Sequence, residues 1–205
     1  YTHALARVDG RLAQGGGLGV DTGKYTGRSP KDKFLVDEPG SSERIWGGEV
    51  NQRLGESSFD GLRARVTGRL AGAEALYVVD AWAGADPSHR IGVRVVTAHP
   101  YHALFAKTMF IDLAEDELQG FEPQALVLHT PDLEASPEQD GTRSETAIVL
   151  HPGRTELLVL GTFYAGEIKK SIFTVMNDRL PLEGVFPMHC SANVGDHGDV
   201  AVFFG

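Results

Sequence analysis

Two adjacent lysines, Lys169 and Lys170, lie in the part of the chain that most suggests chemistry. They follow a short apolar run at 156–160, closed by Gly161, which predicts a buried strand. Apolar residues then recur at helical spacing until Pro181, so the lysines fall in the first turn of a predicted helix. The macrodipole places partial positive charge there, where cations are unfavourable. A local rule broken without visible compensation is typical of a functional site, whereas the ordinary interpretation is two solvated lysines.

A second candidate is Arg28, which follows Gly27 and precedes a turn. Ser29, Pro30 and Asp32 have the form of a capping turn, with serine as the cap, proline at the first position and aspartate closing back. A guanidinium presented from a fixed turn suits bidentate binding of a carboxylate. Spacing alone favours an ordinary surface arginine.

A third candidate segment, 188–195 (MHCSANVG), places His189 beside Cys190. After a polar turn, 199–205 predicts an apolar strand that ends in glycine. A single histidine beside a cysteine is more often packed than metal-ligating, so this segment is weak evidence by itself.

Taken together, the segments 26–33 (TGRSPKDK), 164–170 (YAGEIKK) and 188–195 resemble three blocks of the ATP-dependent phosphoenolpyruvate carboxykinase family. The likeness covers nearly the whole chain. It implies a mixed-sheet α/β fold with an amino-terminal substrate-binding domain at 1–185. Residues 186–205 would then begin the nucleotide-binding domain and end just before its phosphate-binding loop.

The resemblance also implies a reversible reaction of gluconeogenesis, in which oxaloacetate and ATP give phosphoenolpyruvate, CO₂ and ADP. It implies that Arg28 holds the substrate carboxylate, and that Tyr164 lies against the substrate or CO₂. Lys169 would neutralise the transferring phosphoryl group or the enolate. Lys170 and His189 would be ligands of Mn²⁺ (or Mg²⁺) and lie against the nucleotide's phosphates, with Lys170 also touching the substrate.

A lysine ligand requires the neutral amine, whereas free lysine has a pKa of about 10.4. A neighbouring cation, a helix amino terminus and the metal itself each lower such a pKa, and all three are implied at Lys170. The local sequence and the family role therefore agree. Cys190 lacks an evident histidine and acid to activate it, so we expect it to be buried beside the metal site.

Bulk composition limits the alternatives. The net charge of −9, without a basic run, argues against a nucleic-acid partner. No apolar stretch approaches the length of a membrane helix, so no membrane partner is expected. The single cysteine cannot form an internal disulfide, which favours a cytoplasmic location.

The remaining elements are predicted from periodicity and turn residues. Helices and strands interleave without strict alternation, which favours a mixed sheet over a doubly wound one. The arginines of the first long helix, Arg63, Arg65 and Arg69, are expected to form a solvated face. The predictions are helices through 59–70 and 99–110, strands at 34–36, 75–79, 93–97, 125–129 and 146–150, and loops at 51–55 and 130–143.

Two motif-like patterns are rejected. The dipeptide Gly23-Lys24 lacks both the glycine five residues earlier and the hydroxyl residue that must follow in a phosphate-binding loop. His99 and His102 have the spacing of a metal pair on a helix, but no acidic or cysteine residue of that helix falls on their face. We expect them to pack or cap.

Three positions depart from the family pattern: Phe163, Gly47 in place of a tryptophan, and Asp178 with its neighbour in place of Tyr-Leu. The phosphate-binding loop would follow Gly205, itself an implied nucleotide contact, so we expect the 205-residue chain alone to be inactive. Two alternatives stay open. One is a non-catalytic anion-binding or interaction domain derived from this family, and the other is a phosphotransferase acting on another keto acid.

Overall fold

The computed structural model describes residues 10–12 and 14–204. Within them, an eight-stranded mixed sheet is accompanied by two separate two-stranded sheets. The predicted mixed-sheet α/β class is confirmed. The strands are β1 Gly10–Leu12, β2 Leu18–Val20, β3 Lys33–Val36, β4 Gln52–Leu54, β5 Tyr77–Ala83, β6 Ile91–Thr97, β7 Ile111–Asp112, β8 Ala125–Thr130, β9 Ala147–His151, β10 Glu156–Leu160, β11 Ser191–Val194 and β12 Val200–Phe203.

Three helices are long enough to form layers on the sheet. The helices predicted at 59–70 and 99–110 are confirmed within a few residues. None of the helices in the described ranges is long and apolar enough to cross a membrane. The α-helices are α1 Glu56–Ala71, α2 Pro100–Met109, α3 Glu115–Leu118, α4 Pro137–Asp140 and α5 Gly166–Arg179, with 3-10 turns at Pro30–Asp32 and Leu180–Glu183.

The strand order is β4-β3-β9-β10-β8-β6-β5-β7. The neighbours β6, β8 and β10 are parallel, so their carboxyl ends meet at one edge of the sheet. Because α2 follows β6 and α5 follows β10, both helices begin near that edge. Strand β9 is antiparallel to β10 and parallel to β3, so β3 starts at the same edge. The topology therefore brings the turn before β3 to the amino termini of α2 and α5, the usual position of ligand sites in such sheets.

Strand β10 shows why the sheet is covered on both faces. All five of its residues are buried, as expected for a strand packed on each side. Leu157 and Val159 join the core beneath α2 and α5, whereas Leu158 and Leu160 join the core beneath α1. The three layers hold the amino terminus of α5 rigidly against the sheet.

Three sequence predictions need correction away from the site. The predicted loop 130–143 contains the short helix α4 at Pro137–Asp140. The predicted loop 51–55 contains β4, which pairs in parallel with β3, and three residues are too few to show a strand period. The three arginines of α1 are half-exposed but not simply solvated, because each pairs with a carboxylate contributed by a distant part of the chain. The pairs are Arg63–Glu156, Arg65–Asp140 and Arg69–Asp132.

The last two strands, β11 and β12, form an antiparallel hairpin separate from the large sheet. The predicted strand at 199–205 is confirmed as β12, while β11 was not predicted. Every residue of both strands is exposed, including apolar Val200 and Phe203. The domain division at 185/186 stays a prediction, and the Gly205 nucleotide contact lies outside the described residues.

Candidate functional site

The loop that joins β10 to α5 carries the candidate residues and is fixed by close packing. Gly161 has a positive φ of 65°, and a Cβ there would collide with the carbonyl oxygen of Glu145. The Thr146 hydroxyl donates a hydrogen bond of 2.6 Å to the Gly161 carbonyl. Only glycine fits this conformation and approach, so the loop leaves the sheet in one defined direction.

Helix α5 begins at Gly166, which makes Lys169 and Lys170 its fourth and fifth residues. The helix is confirmed, and the lysines lie at the end of the first turn and the start of the second. A Cβ on Gly166 would lie 2.6 Å from a ring carbon of Tyr164. Glycine therefore lets the tyrosine ring lie against the helix start.

A cavity of about 380 Å³, the lysine cavity, contains all the predicted site residues among the described part of the chain. Residues from four separate segments meet in it, and the sheet topology accounts for three of them: the turn before β3, helix α2 and the start of α5. Its lining residues are Arg28, Tyr101, Phe105, Met109, Tyr164, Ala165, Gly166, Lys169, Lys170 and His189.

Three of these lining residues were missed as site residues: Tyr101, Phe105 and Met109 of α2. From the sequence they were predicted only as apolar positions of the helix at 99–110. The sheet instead receives the small side chains Ala103 and Ala106, which are fully buried. Small residues let α2 approach the sheet closely, so the large ones are left to wall the cavity.

Lys170 and His189 both lie against one ring, that of Phe173. The Lys170 ammonium is 5.0 Å from the centroid of the Phe173 ring, and the His189 ring centroid is 5.5 Å from it. Burial, then the charges of Arg28 and Lys169, lower the pKa of Lys170 from its ordinary value. The expected direction of the shift is confirmed.

Lys33, at the start of β3, adds another cation to this neighbourhood. Its pKa is lowered by burial, then by Arg28 and Lys170, while the charge of Glu167 opposes the shift. The same glutamate opposes the shift at Lys170. Four basic side chains are therefore close enough to influence one another, and Glu167 partly compensates them.

Glu167 was also missed, although it supplies the compensation that the lysine pair was thought to lack. Its side chain is 3% exposed, and it is the acidic residue of the first turn of α5. A carboxylate at this end of a helix is favourable. Its place between glycine and two lysines was the signal that could have identified it.

The turn after Arg28 differs from the predicted capping turn. It is a 3-10 turn with Pro30 at its start, but among the described residues the Ser29 hydroxyl makes no capping hydrogen bond. The carboxylate of Asp32 does not close back; it accepts a hydrogen bond of 2.9 Å from the Ser144 hydroxyl and lies 3.6 Å from Nη1 of Arg143. Backbone contacts and a distant loop therefore fix the turn.

The expectation of a buried Cys190 is wrong, because its side chain is exposed. It lies just before the β11–β12 hairpin, whose strands are exposed on both faces. No core therefore surrounds the thiol within the described part of the chain.

His99 and His102 are packed residues whose contacts lie next to the segment that carries Tyr164. Nε2 of His102 lies 3.0 Å from the carbonyl oxygen of Phe163, the residue before Tyr164. Asp132, from the loop after β8, comes within 3.5 Å of Nε2 of His99. Even so, within 10–12 and 14–204 no group of three or more His, Cys, Asp or Glu side chains is placed to hold a metal ion.

The departures at 47 and 178 lie away from the lysine cavity. Asp178 makes a two-pronged ion pair with Arg44, at 2.9 and 3.1 Å, near the carboxyl end of α5. A Cβ on Gly47 would lie 3.0 Å from Nε of Arg53, whose guanidinium bonds backbone carbonyls there. These substitutions therefore concern local packing.

Comparison with known proteins shows the family of the chain. A family model described as phosphoenolpyruvate carboxykinase, of the ATP-dependent type, matches residues 1–205. The chain belongs to this family. Its carboxykinase relatives include proteins named phosphoenolpyruvate carboxykinase (ATP) from Thermus thermophilus, 55% identical over 207 residues, and from Geobacillus kaustophilus, 49% identical over 201 residues.

The chain is shorter than these carboxykinases. The two alignments cover 99% and 98% of this chain but only 39% and 38% of the relatives' lengths. A Moorella thermoacetica relative, phosphoenolpyruvate carboxykinase (ATP) 1, is 50% identical, and its alignment covers 98% of this chain and 38% of the relative. The activity of the whole enzyme is therefore a proposal for this chain.

Proposed function

We propose that this chain is the substrate-binding part of an ATP-dependent phosphoenolpyruvate carboxykinase. The observation that carries the proposal is the meeting of Arg28, Tyr164, Lys169, Lys170 and His189 in one cavity. Its volume of about 380 Å³ lies in the range of small-molecule sites. Full-length protein below means this chain continued in frame to the length of its relatives.

The proposed reaction begins with loss of CO₂ from oxaloacetate. The carbon–carbon bond to the leaving carboxylate breaks, and its electron pair forms an enolate. The enolate oxygen then bonds to the γ-phosphorus of ATP as the bond to ADP breaks, which gives phosphoenolpyruvate. Negative charge grows on the enolate oxygen in the first step and on the transferring phosphoryl group in the second. Cations fixed at these two places would therefore stabilise the transition states more than the bound substrate.

The cavity residues suit this chemistry. Arg28 presents a planar guanidinium that can donate two hydrogen bonds to the substrate carboxylate that is not lost as CO₂. Lys169 is exposed at the cavity wall and supplies charge to the enolate oxygen and the transferring phosphoryl group. Tyr164 places a hydroxyl-bearing ring against the substrate, and the apolar wall from α2 limits access of water, which strengthens the electrostatic contacts.

The residues present fit part of a site for a divalent metal ion. Lys170, with its lowered pKa, yields a neutral amine more readily, and His189 lines the same cavity. These two side chains would hold Mn²⁺ or Mg²⁺, and the other ligands would come from outside the described residues. When bound, the ion would stabilise negative charge on the phosphates and the enolate.

ATP would bind on the side of Lys170 and His189, with further contacts from Gly205 and the residues after it. The proposed division assigns 1–185 to substrate and 186–205 to the start of the nucleotide domain. The exposed apolar hairpin β11–β12 supports this, because such strands are suited to further packing. The proposed compartment is the cytoplasm and the proposed role gluconeogenesis.

The direct test is product identification with the full-length protein. Incubation with oxaloacetate, ATP and Mn²⁺ should give phosphoenolpyruvate and ADP in equal amounts, followed by phosphorus NMR. The variant Lys169→Met should lose turnover, whereas Lys107→Met, a surface lysine paired with Asp112, should keep it. ATP consumption with a different keto acid would indicate the phosphotransferase alternative, and anion binding without turnover would indicate a non-catalytic domain.

A further inference from the structure

The buried carboxylate of Glu167 joins the start of α5 to the turn that carries Arg28. Its Oε1 accepts a hydrogen bond of 2.7 Å from the backbone N–H of Ser29, a residue 138 positions away in sequence. Its Oε2 lies 3.7 Å from Nε of Arg28. One side chain therefore contacts both the backbone and the side chain of the segment that presents Arg28.

Burial of this carboxylate needs a reason beyond helix stability. A glutamate in the first turn stabilises a helix even when it is solvent-exposed. Glu167 is instead 2% exposed, and a buried charge is unfavourable unless it is paired and hydrogen-bonded. The charges of Lys33 and Lys170 lie near it, but its direct contacts from outside α5 are with Ser29 and Arg28, so the buried carboxylate connects these two segments.

The Arg28 contact is looser than the ion pair between Arg94 and Asp80. Arg94 donates two hydrogen bonds of 2.7 Å each to Asp80, from Nε and from Nη2, so both donors on that edge of its guanidinium are engaged. Arg28 instead meets Glu167 most closely through Nε, at 3.7 Å, and its side chain is 38% exposed at the cavity. Such a contact orients a guanidinium without occupying the Nη1–Nη2 edge that chelates a second carboxylate.

We propose that Glu167 is a positioning residue that holds Arg28 with its outer guanidinium edge available to the substrate carboxylate. This inference rests on the proposed function. Glu167 acts through Arg28 and the Ser29 backbone, and it does not touch the substrate. It keeps the arginine loop against α5, so that carboxylate binding does not first have to order the loop.

The test uses Glu167→Gln in the full-length protein. Glutamine keeps the size of the side chain and an oxygen for the Ser29 N–H, but it loses the charge that orients Arg28. We expect the KM for oxaloacetate to rise about 10-fold, because misplacing a binding group weakens the bound geometry. The KM for ATP should stay unchanged. Glu167→Asp, which keeps the charge on a shorter side chain, should give a smaller rise.

The matched control is Asp178→Asn, which removes an arginine-paired carboxylate at the other end of the same helix. It should leave the KM for oxaloacetate unchanged. A residue that acts only through Arg28 should add nothing once Arg28 is altered, so Glu167→Gln combined with Arg28→Lys should match Arg28→Lys alone. If Glu167 had a purely structural role, the fold-changes in KM of the two single variants would instead multiply in the double variant.

An unchanged KM in Glu167→Gln, an equal or larger rise in Glu167→Asp, or multiplied effects in the double variant would each overturn the proposal. If Glu167→Gln fails to fold, the Glu167→Asp comparison and its combination with Arg28→Lys decide the question. Failure of the proposed function is distinguishable, because the unaltered full-length protein would then form no phosphoenolpyruvate.

Discussion

The ammonium group of Lys170 lies 5.0 Å from the centroid of the Phe173 ring, one turn further along the same helix. The ring of His189, from the segment after α5, packs on this phenylalanine as well. Phe173 thus restricts both side chains to the same part of the cavity. The two proposed metal ligands therefore share one packing partner.

The first prediction concerns this pair and metal binding. Lys170→Met and His189→Ala should each weaken Mn²⁺ binding to the full-length protein by about 10-fold or more, because each removes a proposed ligand of the ion. Titration followed by paramagnetic resonance measures the affinity. Lys107→Met is the matched control and should bind as the unaltered protein does. An unaltered isotherm for either cavity variant would remove that residue from the ligand set.

The second prediction concerns the fork of Arg28. Arg28→Lys keeps the charge but loses the planar, two-pronged donor, so the full-length protein should use oxaloacetate less efficiently while its KM for ATP stays nearly constant. Arg63→Lys alters another half-exposed arginine paired with a carboxylate, on α1 and outside the lysine cavity, and should have little effect. Steady-state kinetics with each substrate varied in turn decides the point. The carboxylate role would be wrong if the oxaloacetate response were unchanged.

The third prediction concerns the loop that leads into α5. Gly161→Ala places a Cβ against the Glu145 carbonyl, whereas Gly184→Ala, also at positive φ, places one in open space. Both pay for the left-handed backbone, about 1–2 kcal/mol. Overpacking should make Gly161→Ala about 1–3 kcal/mol more destabilising than Gly184→Ala. Urea unfolding of the full-length variants measures the difference, and equal free energies of unfolding would contradict the packing argument.

The fourth prediction is a pH dependence of stability from His129. The pKa of this fully buried histidine lies well below 6.5, because burial and then the facing His102 and His99 disfavour its charged form; a hydrogen bond with the Thr162 backbone opposes the shift only partly. Below pH 6.5 the unfolded chain binds a proton that the folded chain does not. Stability present above that pH is therefore lost as the pH falls towards the folded pKa.

The loss should approach, at most, about 1.4 kcal/mol per pH unit from this residue. Urea unfolding between about pH 5 and 7 gives the slope, since carboxylates contribute mainly at lower pH, and comparison with a His129 variant separates this residue from the other histidines. His129→Gln should flatten the slope, and His197→Gln, at an exposed position, should leave it unchanged. Identical slopes for the unaltered protein and His129→Gln would refute the assignment.

Sequence patterns predicted the elements that combine a clear period with a clear end. Strand β10 is found at the predicted residues, since four consecutive apolar residues closed by a glycine leave little choice. Helix α5 follows from the spacing of Ile168, Ile172 and Val175, all buried, and from Pro181 after it. Local information was sufficient there because both ends were marked.

Contacts between distant segments could not be predicted in the same way. The side of α2 that walls the cavity was not evident, because its buried face uses Ala103 and Ala106, whose small size conceals the helical stripe. The exposure of Cys190 was also missed, since it depends on what packs near the hairpin. Both outcomes depend on tertiary packing.

Local sequence alone also hid the partner of Arg28. Glu167 was visible at the start of the predicted helix, but its link to the Ser29 backbone joins residues 138 positions apart. No spacing rule connects these two residues. The sheet order does connect them, because β3 begins at the same edge of the sheet at which β10 ends, with β9 between them. The resemblance to the carboxykinases named the candidate residues, and the topology explains why they meet.

The most direct test of the account compares the 205-residue chain with the full-length protein in one assay, in which phosphoenolpyruvate formation from oxaloacetate and ATP is coupled to an optical signal. Phosphoryl transfer depends almost entirely on positioning and charge stabilisation, and the described residues contain no phosphate-cradling loop. The chain alone should read background, and activity should appear only in the full-length protein. Turnover by the chain alone, above that of its Lys170→Met variant, would contradict the assignment of this chain to the substrate-binding part.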